Sequence, residues 1–139
     1  MTYALQNVHG DRTLDVAGGS AHNGAHVHLW DRHDQENQQW RFVHVEEGFY
    51  EILGVGSGKL LEIPADEEIQ PVSTILTRTG GHNQHWTVVE AGDGVVRLVN
   101  RATGQALEGQ GGGHDNGTLV AQAADEGHPH QQWRLLPLG

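Results

Sequence analysis

Short β-prone runs separated by polar, glycine-rich breaks set the pattern of the chain. Leu14-Asp15-Val16, Val27-His28-Leu29-Trp30, Trp40-Arg41-Phe42-Val43, Thr74-Ile75-Leu76 and Leu119-Val120-Ala121 are pieces of strand length with apolar or β-branched residues. Between such runs lie the turn-type pairs Gly10-Asp11, Ser57-Gly58 and Thr103-Gly104, which predict hairpins. No heptad, long amphipathic helix or low-complexity linker interrupts the pattern. The elements it predicts are strands throughout, an all-β chain.

The pattern also repeats. Asn37-Gln38-Gln39-Trp40 returns as Asn83-Gln84-His85-Trp86 and again as His130-Gln131-Gln132-Trp133, so that Gln38, Gln84 and Gln131 lie 46 and 47 positions apart. A second landmark moves with it: Leu14-Asp15-Val16, Leu61-Glu62-Ile63 and Leu107-Glu108-Gly109 follow Leu5, Ile52 and Leu98 at one constant interval. In the first and third copies a glycine-rich turn, Gly18 to Gly24 and Gly111 to Gly117, precedes the next strand. The repeats run approximately over 3–48, 49–94 and 95–138, each with about four strands. One unit of this size cannot bury its own apolar face, so the three are expected to close around one core. Closure into a barrel also removes exposed sheet edges.

Composition agrees with this picture. A chain of 139 residues suits one domain, taken here as 1–139, with 20 glycines, 4 prolines and 36% apolar residues. The absence of cysteine leaves no disulfide and no thiolate chemistry. Charge narrows the partners: eight Lys and Arg against eighteen Asp and Glu give a net charge of −10, which speaks against nucleic acid. No apolar stretch long enough to span or insert in a membrane is visible, and the N-terminus shows no basic segment followed by an apolar one. A cytoplasmic location is therefore expected, or a secreted one if the chain is a domain excised from a larger protein.

Three Gln-x-Trp elements in register with three Leu-acidic steps resemble the ricin B-chain type lectin family, and the resemblance covers residues 3 to 138. It implies a β-trefoil of three pseudo-symmetric repeats that binds carbohydrate and returns it unchanged. Galactose- and N-acetylgalactosamine-type glycans on glycoproteins or glycolipids are the implied partners, with no cofactor. Small lectins of this kind are often dimers, and a homodimer would add avidity to a weak single site.

The resemblance asks for a carboxylate, a stacking aromatic and an amide converging on one sugar, and the first repeat alone supplies the set. Asp15 is the expected acceptor for adjacent sugar hydroxyls, Trp30 the flat face for the apolar side of the ring, and Asn37 a donor and acceptor. Gln38 positions Asn37, and His28 shares a strand face with Trp30. The second repeat keeps Glu62, Asn83 and Gln84 but puts Leu76 or Thr77 where the platform should be, which makes it a weaker candidate. The third has Glu108, Ala123 and His130 and is expected to have lost the site. Trp40, Trp86 and Trp133 are assigned to the core, with Gln38, Gln84 and Gln131 bonding to loop backbone.

Three other readings bear on the same sequence. No nucleophile elbow or phosphate loop is present, and three carboxylates spread by pseudosymmetry would not flank one bond, so no catalysis is expected. His26 and His28, with His22 and His33 nearby, and the pair His128 and His130 have the types and spacing of metal ligands, but no third fixed ligand accompanies them, and no metal is assigned. The alternative is a protein-binding β-trefoil, an inhibitor or interaction module that takes no sugar, since fold alone does not decide function.

Overall fold

The computed structural model describes residues 1–64 and 72–139. Twelve strands run in chain order: β1 Tyr3–Asn7, β2 Thr13–Val16, β3 Val27–Trp30, β4 Trp40–Glu46, β5 Phe49–Gly54, β6 Leu60–Glu62, β7 Thr74–Leu76, β8 Trp86–Gly92, β9 Val95–Asn100, β10 Ala106–Gly109, β11 Val120–Ala123 and β12 Trp133–Pro137. They fall into three sets of four, and the fold is a β-trefoil.

The first and last strand of each set build a closed barrel. Antiparallel pairing runs β1–β4, β4–β5, β5–β8, β8–β9, β9–β12 and back from β12 to β1. The last pairing joins Tyr3 to Pro137 and Asn7 to Trp133, so among the described residues no barrel strand is left with an unpaired edge. The inner strands form the hairpins β2–β3, β6–β7 and β10–β11. These meet one another through single bridges, His26 with Thr74, His28 with Leu119 and Val72 with Ala121.

The repeated landmarks meet in the core. Trp40, Trp86 and Trp133 are fully buried, and their indole N–H groups donate to the carbonyls of Leu14, Leu61 and Leu107 at 3.0, 3.1 and 3.1 Å. Burying an indole of this size is worth about 4–6 kcal/mol of transfer free energy as an upper estimate, and the paired N–H removes the cost of an orphan donor. Because each accepting leucine directly precedes the acidic residue of its repeat, the tryptophan that fills the core also fixes the strand carrying that carboxylate. Leu5, Ile52 and Leu98 belong to the same core cluster.

A short 3₁₀ turn precedes each of these tryptophans, at Glu36–Gln38, His82–Gln84 and Pro129–Gln131. It turns the glutamine inward, where Gln38, Gln84 and Gln131 are buried. Gln38 donates to the carbonyl of Asp31 and accepts from the amides of His33 and Asp34. Gln131 repeats this with Ala124, Glu126 and Gly127, and Gln84 with Thr77 and Thr79. The glutamines therefore fasten the loop before each 3₁₀ turn, as the repeat pattern predicts.

Candidate functional site

Asp15 lies on β2 directly opposite His28 on β3, and it is only 3% exposed. A buried carboxylate must be hydrogen-bonded to be tolerated, and here the first repeat supplies the donors. Oδ2 accepts from Asn37 Nδ2 at 3.1 Å and Gln38 Nε2 at 2.9 Å, while Oδ1 meets His28 Nε2 at 2.8 Å. A carboxylate that is ionised only accepts, and against it Nε2 of His28 is the donor. Of the roughly four acceptor positions a carboxylate offers, one on Oδ1 remains for a ligand.

Trp30 ends β3 and is 40% exposed, whereas the three core tryptophans are not exposed at all. Its ring stacks on His28 at a centroid distance of 5.2 Å and an interplanar angle of 20°. The imidazole thus orients the carboxylate with one atom and backs the indole with its face. Asp15, His28, Trp30 and Asn37 line one cavity of about 440 Å³, together with Gly18, Gly19, His33 and Gln35. That volume lies within the range of small-molecule sites.

Of the five residues singled out in the first repeat, four border this cavity and Gln38 does not. Gln38 is fully buried and has each of its amide positions engaged, so it acts as a support behind Asp15 rather than as a surface contact. His33 was not among the five. The loop from Asp31 to Gln35 brings its Nε2 to 3.6 Å from Asp15 Oδ2. The left-handed Asp34 at φ 61° shapes that loop, and no periodic signal in the sequence announces it. Gly18 and Gly19, both at φ 63°, supply a side of the cavity without a side chain; the glycine-rich turn was visible in the sequence, its place beside Asp15 was not.

The other two repeats keep parts of this arrangement. In the second, Glu62 Oε1 accepts from Gln84 at 3.2 Å and Asn83 at 3.4 Å, and burial pushes the Glu62 carboxyl above the ordinary glutamate range. Strand register places Leu76 opposite Leu60 as Trp30 is opposite Thr13, so the platform position holds a half-buried leucine. In the third, Gln131 donates to Glu108 at 3.0 Å and His130 Nε2 lies 3.3 Å from the same oxygen, while Ala123 occupies the platform position. Asn83 and Gln84 therefore attend Glu62 without an indole beside them, and Gln84, like Gln38, is buried.

Residues 1–133 match the family model of the ricin-type beta-trefoil lectin domain. Among solved structures, a designed 3-fold symmetric protein, ThreeFoil, superposes with a TM-score of 0.94 at 34% identity over 99% of both chains. An exo-beta-1,3-galactanase from Clostridium thermocellum gives a TM-score of 0.93 at 31% identity, covering 99% of this chain and 30% of the enzyme. The clotting factor G alpha subunit of Tachypleus tridentatus is 40% identical over 50 residues, which is 36% of this chain and 7% of that protein. The chain thus spans a small part of the length of the curated relative it matches.

Proposed function

Because the chain belongs to the ricin-type β-trefoil lectin family, we propose that it binds glycans without altering them and holds a galactose- or N-acetylgalactosamine-type residue at the first repeat. The observation that carries this reading is the shared cavity of Asp15 and Trp30, a buried carboxylate preset by three donors beside an exposed indole. Sugars offer polar hydroxyls on their edges and apolar C–H faces, and this pairing suits both. The free position on Oδ1 of Asp15 and the unengaged half of the Asn37 amide take hydroxyls, and the indole covers the face. Galactose is favoured because a galactan-degrading enzyme carries a domain 31% identical to this chain. The non-catalytic reading is supported by the placement of Asp15, Glu62 and Glu108 on separate hairpins rather than side by side on one.

A single shallow site of this kind implies a dissociation constant of roughly 0.1–1 mM for a simple sugar. Homodimers or tandem domains would raise the working affinity through multivalency. The test is calorimetric titration of galactose, N-acetylgalactosamine and glucose into the protein and into Trp30→Ala. Binding of the first two that is lost on substitution is the expected result. No binding by any simple sugar, together with a clean glycan array, would favour the protein-binding alternative.

A further inference from the structure

The pseudo-threefold symmetry is broken beside the candidate site. Strand register makes Asn7, Gly54 and Asn100 equivalent, opposite Trp133, Trp40 and Trp86 respectively. Asn7 donates to the carbonyl of His130 at 3.0 Å, and Asn100 to that of Asn83 at 3.0 Å, each tying one repeat to the 3₁₀ turn of its neighbour. Their Oδ1 atoms also accept from the amides of His9 and Ala102, two residues on. At the third junction, between the first and second repeats, Gly54 has no side chain to do either.

A cleft of about 500 Å³ opens there. Gly54 and Gly56 line it, with Glu36, Gln39 and Ser57, and it shares Gly19, Gln35 and Asn37 with the cavity of Asp15 and Trp30. The two spaces therefore adjoin along Gly19, Gln35 and Asn37. The cleft is polar: Glu36 is exposed, and its carboxylate has no protein hydrogen bond among the described residues. Gln39 uses its Nε2 on the carbonyl of Asp34, which leaves its oxygen available, and Ser57 accepts from the amide of Lys59, which leaves its hydroxyl proton available.

Resting on the sugar-binding reading above, we propose that this cleft is a second subsite, so that the protein recognises a neutral oligosaccharide of at least two residues rather than a lone terminal sugar. One residue lies against Trp30 and Asp15, and the next passes Asn37 and Gln35 into the cleft, where its hydroxyls donate to Glu36 and Gln39 and accept from Ser57. The acceptor-rich lining and the net charge of −10 disfavour acidic sugars in this subsite. Among the described residues this junction differs from the other two, where the side chains of Asn7 and Asn100 stand at the equivalent position.

The test refills the cleft. At Gly54 a Cβ would lie 3.0 Å from Ser57 Oγ, a contact that a small shift of the serine relieves, and 3.4 Å from Trp40 Cζ3, an ordinary van der Waals distance; the backbone there is not left-handed. Galactose, β-1,3-galactobiose and β-1,4-galactobiose are titrated into wild type, Gly54→Asn and Glu36→Ala, with unfolding curves for each. One disaccharide should bind wild type at least tenfold more tightly than galactose. In Gly54→Asn that advantage should shrink to within about twofold while galactose affinity is unchanged, and the surface variant Glu36→Ala should reduce it in the same direction if Gly54→Asn folds poorly. Galactose binding without a disaccharide advantage, or an advantage that survives both variants, overturns the subsite and leaves the first-repeat reading standing. Failure of all three sugars overturns both.

Discussion

Nε2 of His28 lies 2.8 Å from Oδ1 of Asp15, across the pair of strands β2 and β3. The same imidazole is stacked under Trp30, so the polar anchor and the apolar platform share one support. The other repeats have Thr74 and Ala121 at the equivalent register position, and neither presents an aromatic face. His28 is thus the residue through which the two halves of the first-repeat site are held in one geometry.

Two substitutions separate its roles. His28→Phe keeps a ring for Trp30 but removes the hydrogen bond to Asp15, and a hydrogen bond to a charged group is worth about 1.5–3 kcal/mol. Sugar affinity should therefore fall about tenfold or more in His28→Phe and further in His28→Ala, where the indole also loses its backing. Calorimetric titration distinguishes the cases. Equal losses would assign the whole effect to the hydrogen bond, and unchanged affinity in both would remove His28 from the site.

Trp30 and Trp40 differ in burial, and their replacements should differ in kind. Trp30→Ala exposes no core and should leave stability within about 0.5 kcal/mol of wild type while sugar binding is lost. Trp40→Ala leaves a core cavity and an unpaired Leu14 carbonyl, and should destabilise the protein by about 3–5 kcal/mol. Urea unfolding together with sugar titration reads both. A large stability loss in Trp30→Ala would reassign that indole to structural packing.

The repeat unit was legible because its residues answer to packing. Tryptophans that fill a core and glutamines that fasten a loop recur wherever that job recurs, so Trp40, Trp86, Trp133 and the buried glutamines could be placed by spacing alone. The convergence of Asp15, Trp30 and Asn37 was legible only through the family resemblance, since nothing in local periodicity brings β2, β3 and the Glu36–Gln38 turn together. Which neighbour an amide supports is not encoded by its identity, which is why Gln38 reads in sequence as a support for Asn37 and in the structure holds Asp15 instead, along with the loop backbone. His33 and the Gly54 cleft depend on a left-handed loop residue and on strand register between repeats.

Asp15→Asn tests the charged acceptor with little change of shape. Asn can keep its oxygen toward Asn37 and Gln38 and turn its amide toward His28, whose Nε2 accepts once the ring proton moves to Nδ1. The fold should survive, and the free acceptor position on Oδ1 becomes an N–H that opposes a sugar hydroxyl proton. Affinity should weaken by about 1.5–3 kcal/mol, the range for hydrogen bonds to charged groups. Wild-type affinity in this variant would leave Asp15 a purely structural role.

Glu62 makes the opposite case, a buried carboxylate whose support is incomplete. Burial raises its pKa, and hydrogen bonds from Gln84, Thr74 and Asn83 only partly counter that. The folded state therefore holds the proton more tightly than the unfolded chain. In the window from the ordinary glutamate value of about 4.3 up to the raised folded value, the folded state binds more protons, so stability from this group is present below that window and is lost as pH rises through it. Glu62→Gln keeps an oxygen to accept from Gln84 and Asn83 and carries no charge at any pH. Its unfolding midpoint should exceed that of wild type at about pH 7, and the difference should shrink towards about pH 4. Urea titrations of both proteins at several pH values measure it, and a difference that does not change with pH would show that ionised Glu62 costs the fold nothing.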